Sequence, residues 1–309
     1  MMEVNYFMVS KPIRYLNIRN IPGFDKIPNK RLIVVGNFNR SENFCENIRR
    51  FDNVWDKIYY VENEHQAYFH LLSHKVSTIY TQVDCSLFMG LLHFVKRISV
   101  ILVEEGCVTY GGSAGNKHSL IRTLLGVGTT LGSSKFTKKI FVYSPYAFGK
   151  LLSPSCKVYS FSLPLPVFVT KNKETFYKLF DYQNNLEFPL GKKILFYVTE
   201  WSINNDIIAY INEHSNNYDY IYVKPHPHIK NISYNFPDNW IIIQGNMMVE
   251  FIFSELLERS NQVTVIHNGS ASMLYFTHFM NEILFDSQDA DKQWIEQYKE
   301  IVNLIRNEK

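Results

Sequence analysis

Short apolar runs alternate with longer segments of helical periodicity along most of this 309-residue chain. The first strand-like runs are Arg31–Gly36, Lys57–Val61, Thr78–Thr81, Ser99–Val103 and Ile140–Tyr143. A second series comprises Lys193–Val198, Tyr220–Val223, Trp240–Ile243, Val263–Ile266 and Glu282–Phe285. Helical patterns lie at Ser41–Phe51 (with Ser41 as its predicted N-cap), Asn204–His214, Met247–Arg259 and Ala271–Met280. Apolar strands that alternate with helices are typical of parallel sheets covered on both faces, which predicts an α/β protein.

A proline-rich stretch separates the two series of strands. It holds Pro154, Pro164, Pro166 and Pro189, and it interrupts the alternation of strands and helices. At about 150 residues per domain, the chain length fits two domains. We therefore predict two Rossmann-like domains, residues 1–155 and 190–309, which are joined by a linker at 156–189 and face each other across a cleft.

Composition excludes several classes of protein. Hydrophobic residues make up 46% of the chain and charged residues 20%, which is a globular mixture. The net charge of +3 is too small to indicate a nucleic-acid partner. The four scattered cysteines favour a reducing compartment. Because the N-terminus has no apolar signal-peptide core and no run reaches about 20 apolar residues, we expect a cytoplasmic protein, peripheral at most on the inner face of the membrane.

Ligands of such folds bind beyond the carboxyl ends of the strands, so the residues that follow each strand are informative. Glu104, Glu105 and Gly106 follow the run Ser99–Val103. One carboxylate of an adjacent pair can be held by a hydrogen bond while the other serves as a general base with a raised pKa. Gly106 would allow a sharp turn. A solvated acidic turn is the simpler alternative.

Two further motifs follow strands in the second half. The sequence Lys224-Pro225-His226-Pro227-His228 follows Tyr220–Val223, and its prolines would fix the direction of the His226 imidazole. Such a histidine can contact a phosphate or act as a general acid, and a metal site with His228 is an alternative for which no third ligand is evident. The sequence His267–Ser272 follows Val263–Ile266, and its hydroxyls and backbone N–H groups would form an anion site at a helix start. An ordinary serine N-cap is the alternative there.

Together these motifs suit transfer from a phosphate-activated donor to a hydroxyl, with a base in one domain and a phosphate site in the other. In this order and context, VEEGCVTYGG (Val103–Gly112), KPHP (Lys224–Pro227) and GSASMLYF (Gly269–Phe276) resemble the motifs of bacterial GT-B sialyltransferases. The particular resemblance is to lipooligosaccharide sialyltransferases and capsule polysialyltransferases. Ile194–Glu200 and the sequence around Glu250 also resemble that family, and the resemblance spans roughly residues 95–280.

The resemblance implies an inverting enzyme of GT-B fold that uses CMP-sialic acid as donor and needs no metal or other cofactor. Its general base would be Glu105, with Glu104 as the less favoured candidate, and His226 would assist departure of the CMP phosphate. The donor side would further comprise Lys224, Pro227, Glu250 (toward the ribose), Gly269, Ser270 and Ser272 (toward the phosphate), and the acceptor side Gly106 and Tyr110 (facing a sugar ring). One departure is that Ala271 separates two hydroxyl residues which are adjacent in the family.

Several alternatives remain open at the level of the sequence. The donor could be CMP-Kdo or another CMP-activated nonulosonate, CDP-glycerol-type transferases share His-Pro elements, and a catalytically silent sugar-nucleotide-binding protein would have a similar fold. The acceptor is expected to be an oligosaccharide or a lipid-linked glycan. The basic and apolar segment Lys117–Lys150 suits contact with an anionic membrane surface or acceptor, or simply a solvated face.

Overall fold

A computed structural model describes residues 3–111, 119–182, 187–199, 202–226, 229, 236–244, 247–285 and 292–308. Within these ranges the chain forms two compact units. Residues 3–164 and 172–182 build the first unit, and residues 165–171 and 187–307 build the second. None of the described helices is both long and apolar enough to cross a membrane.

Seven parallel strands form the sheet of the first unit. They are β1 (Asn5–Val9), β2 (Lys30–Val35), β3 (Lys57–Val61), β4 (Thr78–Thr81), β5 (Ser99–Val103), β6 (Thr137–Val142) and β7 (Lys157–Ser160). Their spatial order is β3-β2-β1-β4-β5-β6-β7, so β1 lies at the point where the strand order reverses. Because all neighbouring pairs are parallel, the carboxyl ends of β1, β4 and β5 lie at one edge of the sheet.

Five parallel strands form the sheet of the second unit. They are β8 (Lys193–Val198), β9 (Tyr220–Lys224), β10 (Ile241–Ile242), β11 (Gln262–His267) and β12 (Asn281–Leu284). The spatial order is β10-β9-β8-β11-β12, which places the ends of β9 and β11 on either side of the central strand. Buried apolar side chains such as Leu195, Ile207 and Val223 form a core beside this sheet.

Twelve α-helices accompany these strands in the described part of the chain. They are α1 (Pro12–Arg19), α2 (Ser41–Phe51), α3 (Glu64–Ser73), α4 (Leu87–Lys96), α5 (Cys107–Gly111), α6 (Leu120–Leu125), α7 (Pro145–Leu151), α8 (Leu165–Lys171), α9 (Lys173–Leu179), α10 (Asn205–His214), α11 (Val249–Glu258) and α12 (Lys292–Arg306). Side chains such as Asn63, Ser86 and Asn204 accept hydrogen bonds from backbone N–H groups of the first turn and so fix where these helices begin.

The fold class is confirmed, and four local expectations need correction. The strand β1 precedes Arg31–Gly36, which was expected to be the first buried strand, and β1 is completely buried. Ser41 lies inside α2, whose N-cap is Arg40 in a left-handed conformation without a side-chain cap. The expected helix Ala271–Met280 is a short 3₁₀ helix, Ala271–Tyr275.

The fourth correction concerns the segment 156–189, which was predicted to be a linker. Its described part contributes secondary structure to both units. Strand β7 completes the first sheet, α8 packs on α11 in the second unit, and α9 packs on α2 in the first. The chain therefore passes between the units more than once, and the first unit extends beyond residue 155.

Candidate functional site

Glu104 lies directly after β5, and its carboxyl group is fully buried. Its Oε2 accepts hydrogen bonds from the Tyr110 hydroxyl (2.8 Å) and the Tyr143 backbone N–H (2.6 Å). Its Oε1 has no hydrogen-bond partner among the described residues. Burial raises the pKa of Glu104 to about 8, although both hydrogen bonds act in the opposite direction. The carboxyl group is therefore mostly protonated at neutral pH.

The sequence suggested that Tyr110 faces outward toward an acceptor sugar, and the structure corrects this expectation. Its side chain is buried, and its hydroxyl lies between the Glu104 carboxyl group and the Ser144 backbone N–H, which is 3.1 Å away. The short helix α5 folds this ring back under the strand end, a geometry that the sequence spacing alone does not reveal. Tyr110 therefore positions Glu104.

Both carboxylate oxygens of Glu105 contact cations from the segment that follows β1. Lys11 Nζ lies 2.6 Å from Oε1, and the Arg14 guanidinium contacts Oε2. Arg14 is as buried as Glu105, whereas the Lys11 side chain is largely exposed. Sequence reasoning missed both cations because it missed β1, whose carboxyl end brings them to the edge where β5 ends.

Gly106 has a left-handed backbone conformation (φ +66°), which is consistent with the sharp turn that the sequence predicted. The turn lets the Glu105 N–H donate to Thr109 Oγ1 at 2.8 Å. On the other side, Asn17 Nδ2 donates to the Glu104 carbonyl oxygen at 2.8 Å. The backbone of the acidic pair is thus held from both sides, and its two carboxyl groups have different surroundings.

In the second unit, Lys224 ends β9 and is buried. Burial lowers the pKa of Lys224 to about 8. The His226 backbone N–H donates to Thr199 Oγ1 at 2.9 Å, and the Thr199 N–H donates to the Lys224 carbonyl oxygen at 3.1 Å. Hydrogen bonds to the end of β8 therefore hold the Lys-Pro-His segment in place.

The described residues contain no cluster of three or more metal-ligating side chains. Pro227 and His228, which were expected on the donor side and as an alternative metal ligand, lie outside the described residues.

The loop after β11 is organised around His267. Its Nδ1 accepts hydrogen bonds from the backbone N–H groups of Gly269 (2.8 Å) and Ser270 (2.9 Å). Nε2 lies 2.9 Å from Glu282 Oε1. Because Nδ1 accepts hydrogen bonds, Nε2 is the nitrogen that carries a hydrogen, and it donates a hydrogen bond to the carboxylate. The expected phosphate site needs correction, since these two backbone N–H groups are occupied and no α-helix begins here.

Glu282 holds His267 from β12 and is itself held by α12. Its carboxylate accepts hydrogen bonds from Tyr298 (2.5 Å) and Arg306 (3.0 Å) in addition to His267. Burial alone would raise the pKa of Glu282, but the hydrogen bonds from His267 and Tyr298 and the positive charge of Arg306 outweigh it and lower the pKa. Sequence reasoning did not identify Glu282, Tyr298 or Arg306, because no local motif marks them.

Ser272 and Glu250, which the family resemblance assigns to the phosphate and the ribose, contact each other directly. Ser272 Oγ donates to Glu250 Oε1 at 2.8 Å. Glu250 is buried in the first turn of α11, and its burial raises its pKa. The structure therefore brings these two residues together.

Alanine at position 269 is expected to destabilise the second unit strongly. Gly269 has φ +101°, and a Cβ there would lie 2.6 Å from Trp294 Nε1. Gly191 is a matched control with φ +65° and open space around its Cβ position. Urea unfolding should show a loss of about 1 kcal/mol for Gly191→Ala and at least about 2 kcal/mol for Gly269→Ala. Equal losses would mean that the contact with Trp294 is unimportant.

No protein-family model matches this chain, and no curated protein matches it in sequence. Solved structures do match it in fold. UDP-GlcNAc 2-epimerase from Neisseria meningitidis bound to UDP-GlcNAc is 12% identical, with a TM-score of 0.53 over 98% of this chain and 90% of that one. The glycosyltransferase SnogD from Streptomyces nogalater is 11% identical, with a TM-score of 0.51 over 99% and 96%.

A third similar structure is the wall teichoic acid polymerase TagF with CDPG, at 16% identity and a TM-score of 0.53 over 98% of this chain and 82% of that one. These similarities extend over both units. The chain has a two-domain α/β fold with parallel sheets, of the GT-B type.

Proposed function

We propose that this chain is an inverting, metal-independent sialyltransferase that moves sialic acid from CMP-sialic acid to a hydroxyl of a galactoside or sialoside. The acceptor would belong to a bacterial lipooligosaccharide, O-antigen or capsule, and the enzyme would work in the cytoplasm at the inner face of the membrane. The supporting observation is that Glu105 follows β5, His226 follows β9 and Ser272 lies in the loop after β11. These are the strand ends at which α/β sheets bind ligands.

Glu105 is the proposed general base. The acceptor oxygen attacks the anomeric carbon opposite the phosphate, Glu105 takes the hydroxyl proton, and CMP leaves with the electrons of the broken bond. Glu104 is less suited to this role, because its carboxyl group is buried away from any substrate. Its raised pKa instead leaves Glu105 without a second negative charge beside it at neutral pH.

The two cations beside Glu105 have different roles in this proposal. Arg14 is buried and holds Oε2, which fixes the direction of the carboxylate. Lys11 is exposed and can leave Oε1 when the acceptor hydroxyl arrives. One oxygen is thus held while the other is available to the acceptor.

His226 and Lys224 would stabilise the leaving phosphate of CMP. Negative charge develops on the phosphate as the bond breaks, so its attraction to a positive charge there becomes stronger. An anionic phosphate would also favour the charged form of Lys224, whose pKa is lowered to about 8 by burial. The Ser270 and Ser272 hydroxyls would contact the phosphate and Glu250 the ribose. For Ser272 and Glu250 this requires their mutual hydrogen bond to be shared with the nucleotide or opened.

A thermal-shift measurement tests the donor class. CMP at about 100 times its dissociation constant should stabilise the protein by about 2.7 kcal/mol, a shift of several degrees in Tm. Cytidine, which lacks the phosphate, should give a much smaller shift, and UDP and GDP none. A shift with UDP but not with CMP would contradict the proposal. UDP is included in this comparison because the similar epimerase structure holds UDP-GlcNAc.

Two alternative functions would use the same fold and the same nucleotide, CMP. The donor sugar could be Kdo or another nonulosonate, or the chain could bind a sugar nucleotide without transferring it. A mass-spectrometric screen of CMP-sialic acid, CMP-Kdo and related donors against a panel of galactosides separates them. Transfer from CMP-sialic acid supports the proposal, and nucleotide binding without transfer or slow donor hydrolysis supports the binding protein.

A further inference from the structure

Helix α4 is apolar on two opposite faces. Its inward side chains include Met89 and Leu92, which are buried. Its exposed side chains Leu87, Leu91, Phe94 and Val95 are spaced i, i+4, i+7 and i+8 and so share the other face. A helix that is apolar all round is normally enclosed on both sides, whereas one side of α4 faces solvent.

Helix α6 has the reverse of the usual orientation. Its cation Arg122 points inward, where its guanidinium donates to the carbonyl oxygens of Cys85 (2.6 Å) and Gly128 (2.8 Å). Its large apolar side chains point outward: Leu120 is 88% exposed, Ile121 61% and Leu124 78%. The exposure of these apolar side chains to water is unfavourable. The hydrogen bonds of Arg122 nevertheless hold the apolar face outward.

Helices α4 and α6 pack against each other. A Cβ at Gly90 of α4 would lie 2.3 Å from Val127 Cγ2 and 3.0 Å from Leu125 Cβ, so the missing side chain lets the helices approach closely. We name the exposed side chains of α4 and α6 together the α4–α6 patch. Exposed apolar side chains on two neighbouring helices are typical of an interaction site.

The stretch of sequence that contains α4 and α6 is rich in positive charge. Between Asp84 and Glu174 the sequence has eleven Lys and Arg residues and only two acidic residues, Glu104 and Glu105. Both glutamates are withdrawn from the surface, one by burial and the other by its ion pairs. Exposed cations stand at the carboxyl ends of both helices: Arg97 follows α4, and Lys135 packs on Gly126, which follows α6.

We propose that the α4–α6 patch binds the surface of an anionic lipid bilayer, with its apolar side chains at the boundary between headgroups and acyl chains. Apolar side chains beside Lys and Arg are the chemistry that anionic membranes attract. A second copy of the chain fits less well, because a symmetric contact would place the same positive charges opposite each other. The proposal does not depend on which sugar the protein transfers.

The position of the α4–α6 patch relates it to the acidic pair. Arg122 anchors α6 to the segment after β4, and β4 is the neighbour of β5, whose end carries Glu104 and Glu105. Helix α4 itself leads away from that carboxyl edge, and its end at Arg97 directly precedes β5. If the proposed function holds, the unit that carries the acidic pair would bind the bilayer in which a lipid-linked acceptor is anchored.

Vesicle co-sedimentation of the full chain without any nucleotide tests the proposal. Binding is expected to vesicles of phosphatidylcholine with phosphatidylglycerol, and to be weaker with phosphatidylcholine alone or at high salt. The double variant Leu120→Ser/Leu124→Ser should need at least about ten times more lipid for half-binding. Arg97→Asn with Lys135→Gln should weaken binding by about fivefold per cation.

A matched control comes from the second unit. Leu190 is 73% exposed, close to the 78% of Leu124, so Leu190→Ser should bind lipid like the parent while Leu124→Ser binds less. Equal effects of the two single substitutions would overturn the proposal, as would failure of the parent to bind anionic vesicles. Light scattering supplies a third outcome: a dimer that dissociates in Leu120→Ser/Leu124→Ser would assign the surface to a second copy instead. None of these measurements depends on sugar transfer, so they are separate from the test of the donor.

Discussion

Glutamine at position 105 is expected to lower turnover by a factor of about 10²–10⁴ while CMP binding is kept. The reason is that glutamine cannot take the proton of the acceptor hydroxyl, although it retains an oxygen that Arg14 can hold. Turnover with CMP-sialic acid and a galactoside, measured beside the CMP-dependent shift in Tm, separates lost chemistry from lost folding. Glu105→Asp, which keeps the charge but withdraws it by one methylene, should retain more activity than Glu105→Gln.

Glu46 provides the control for this substitution, because it is an exposed acid on α2 of the same unit. Glu46→Gln should leave turnover unchanged. If Glu105→Gln turned over at nearly the parent's rate, Glu105 would not be the base. A loss of CMP-dependent stabilisation together with turnover would instead indicate a binding or folding defect.

Glutamine at position 104 is expected to change how stability depends on pH. The pKa of Glu104 is about 8 in the folded chain, against an ordinary value of 4.5. The folded state therefore holds a proton that the unfolded state releases, and this contribution is present at low pH and lost as pH rises through 8. Between about pH 5 and pH 9 the parent should lose roughly 4 kcal/mol relative to Glu104→Gln, which has no proton to lose.

Urea unfolding of both proteins across this pH range is the measurement. Comparing the difference between the curves cancels other groups that titrate in the same window, such as Lys224. Glu46→Gln should run parallel to the parent. A parallel curve for Glu104→Gln as well would show that Glu104 is not protonated in the folded chain at neutral pH.

Most strands that are continuously apolar and have polar neighbours could be predicted from sequence. Lys57–Val61, Thr78–Thr81, Ser99–Val103 and Lys193–Val198 were placed to the residue. The central strand β1 was missed although Tyr6–Val9 is equally apolar, and its central place is set by β2 and β4, which come later in the chain. The edge strand β7 is mostly exposed and so has no apolar pattern to reveal it.

Within the candidate site, sequence identified the strand ends but not what the side chains there contact. Glu104 and Glu105 were recognised together, yet only the fold gives one of them a buried tyrosine and the other two cations. The Gly269–Ser270 backbone was expected to bind an anion, but His267 already occupies it. Such pairings depend on residues distant in sequence or on ring orientation, which local spacing does not determine.

The contacts of His267 have a consequence for chimeric proteins. The loop that follows β11 takes its shape from Glu282 on β12, and Tyr298 and Arg306 on α12 hold Glu282 in turn. A transplant of residues 267–272 alone into a related scaffold would leave behind the side chains that orient its imidazole. The exchangeable module is therefore the whole stretch from β11 through α12, and specificity changes attempted in the loop by itself should be judged against that boundary.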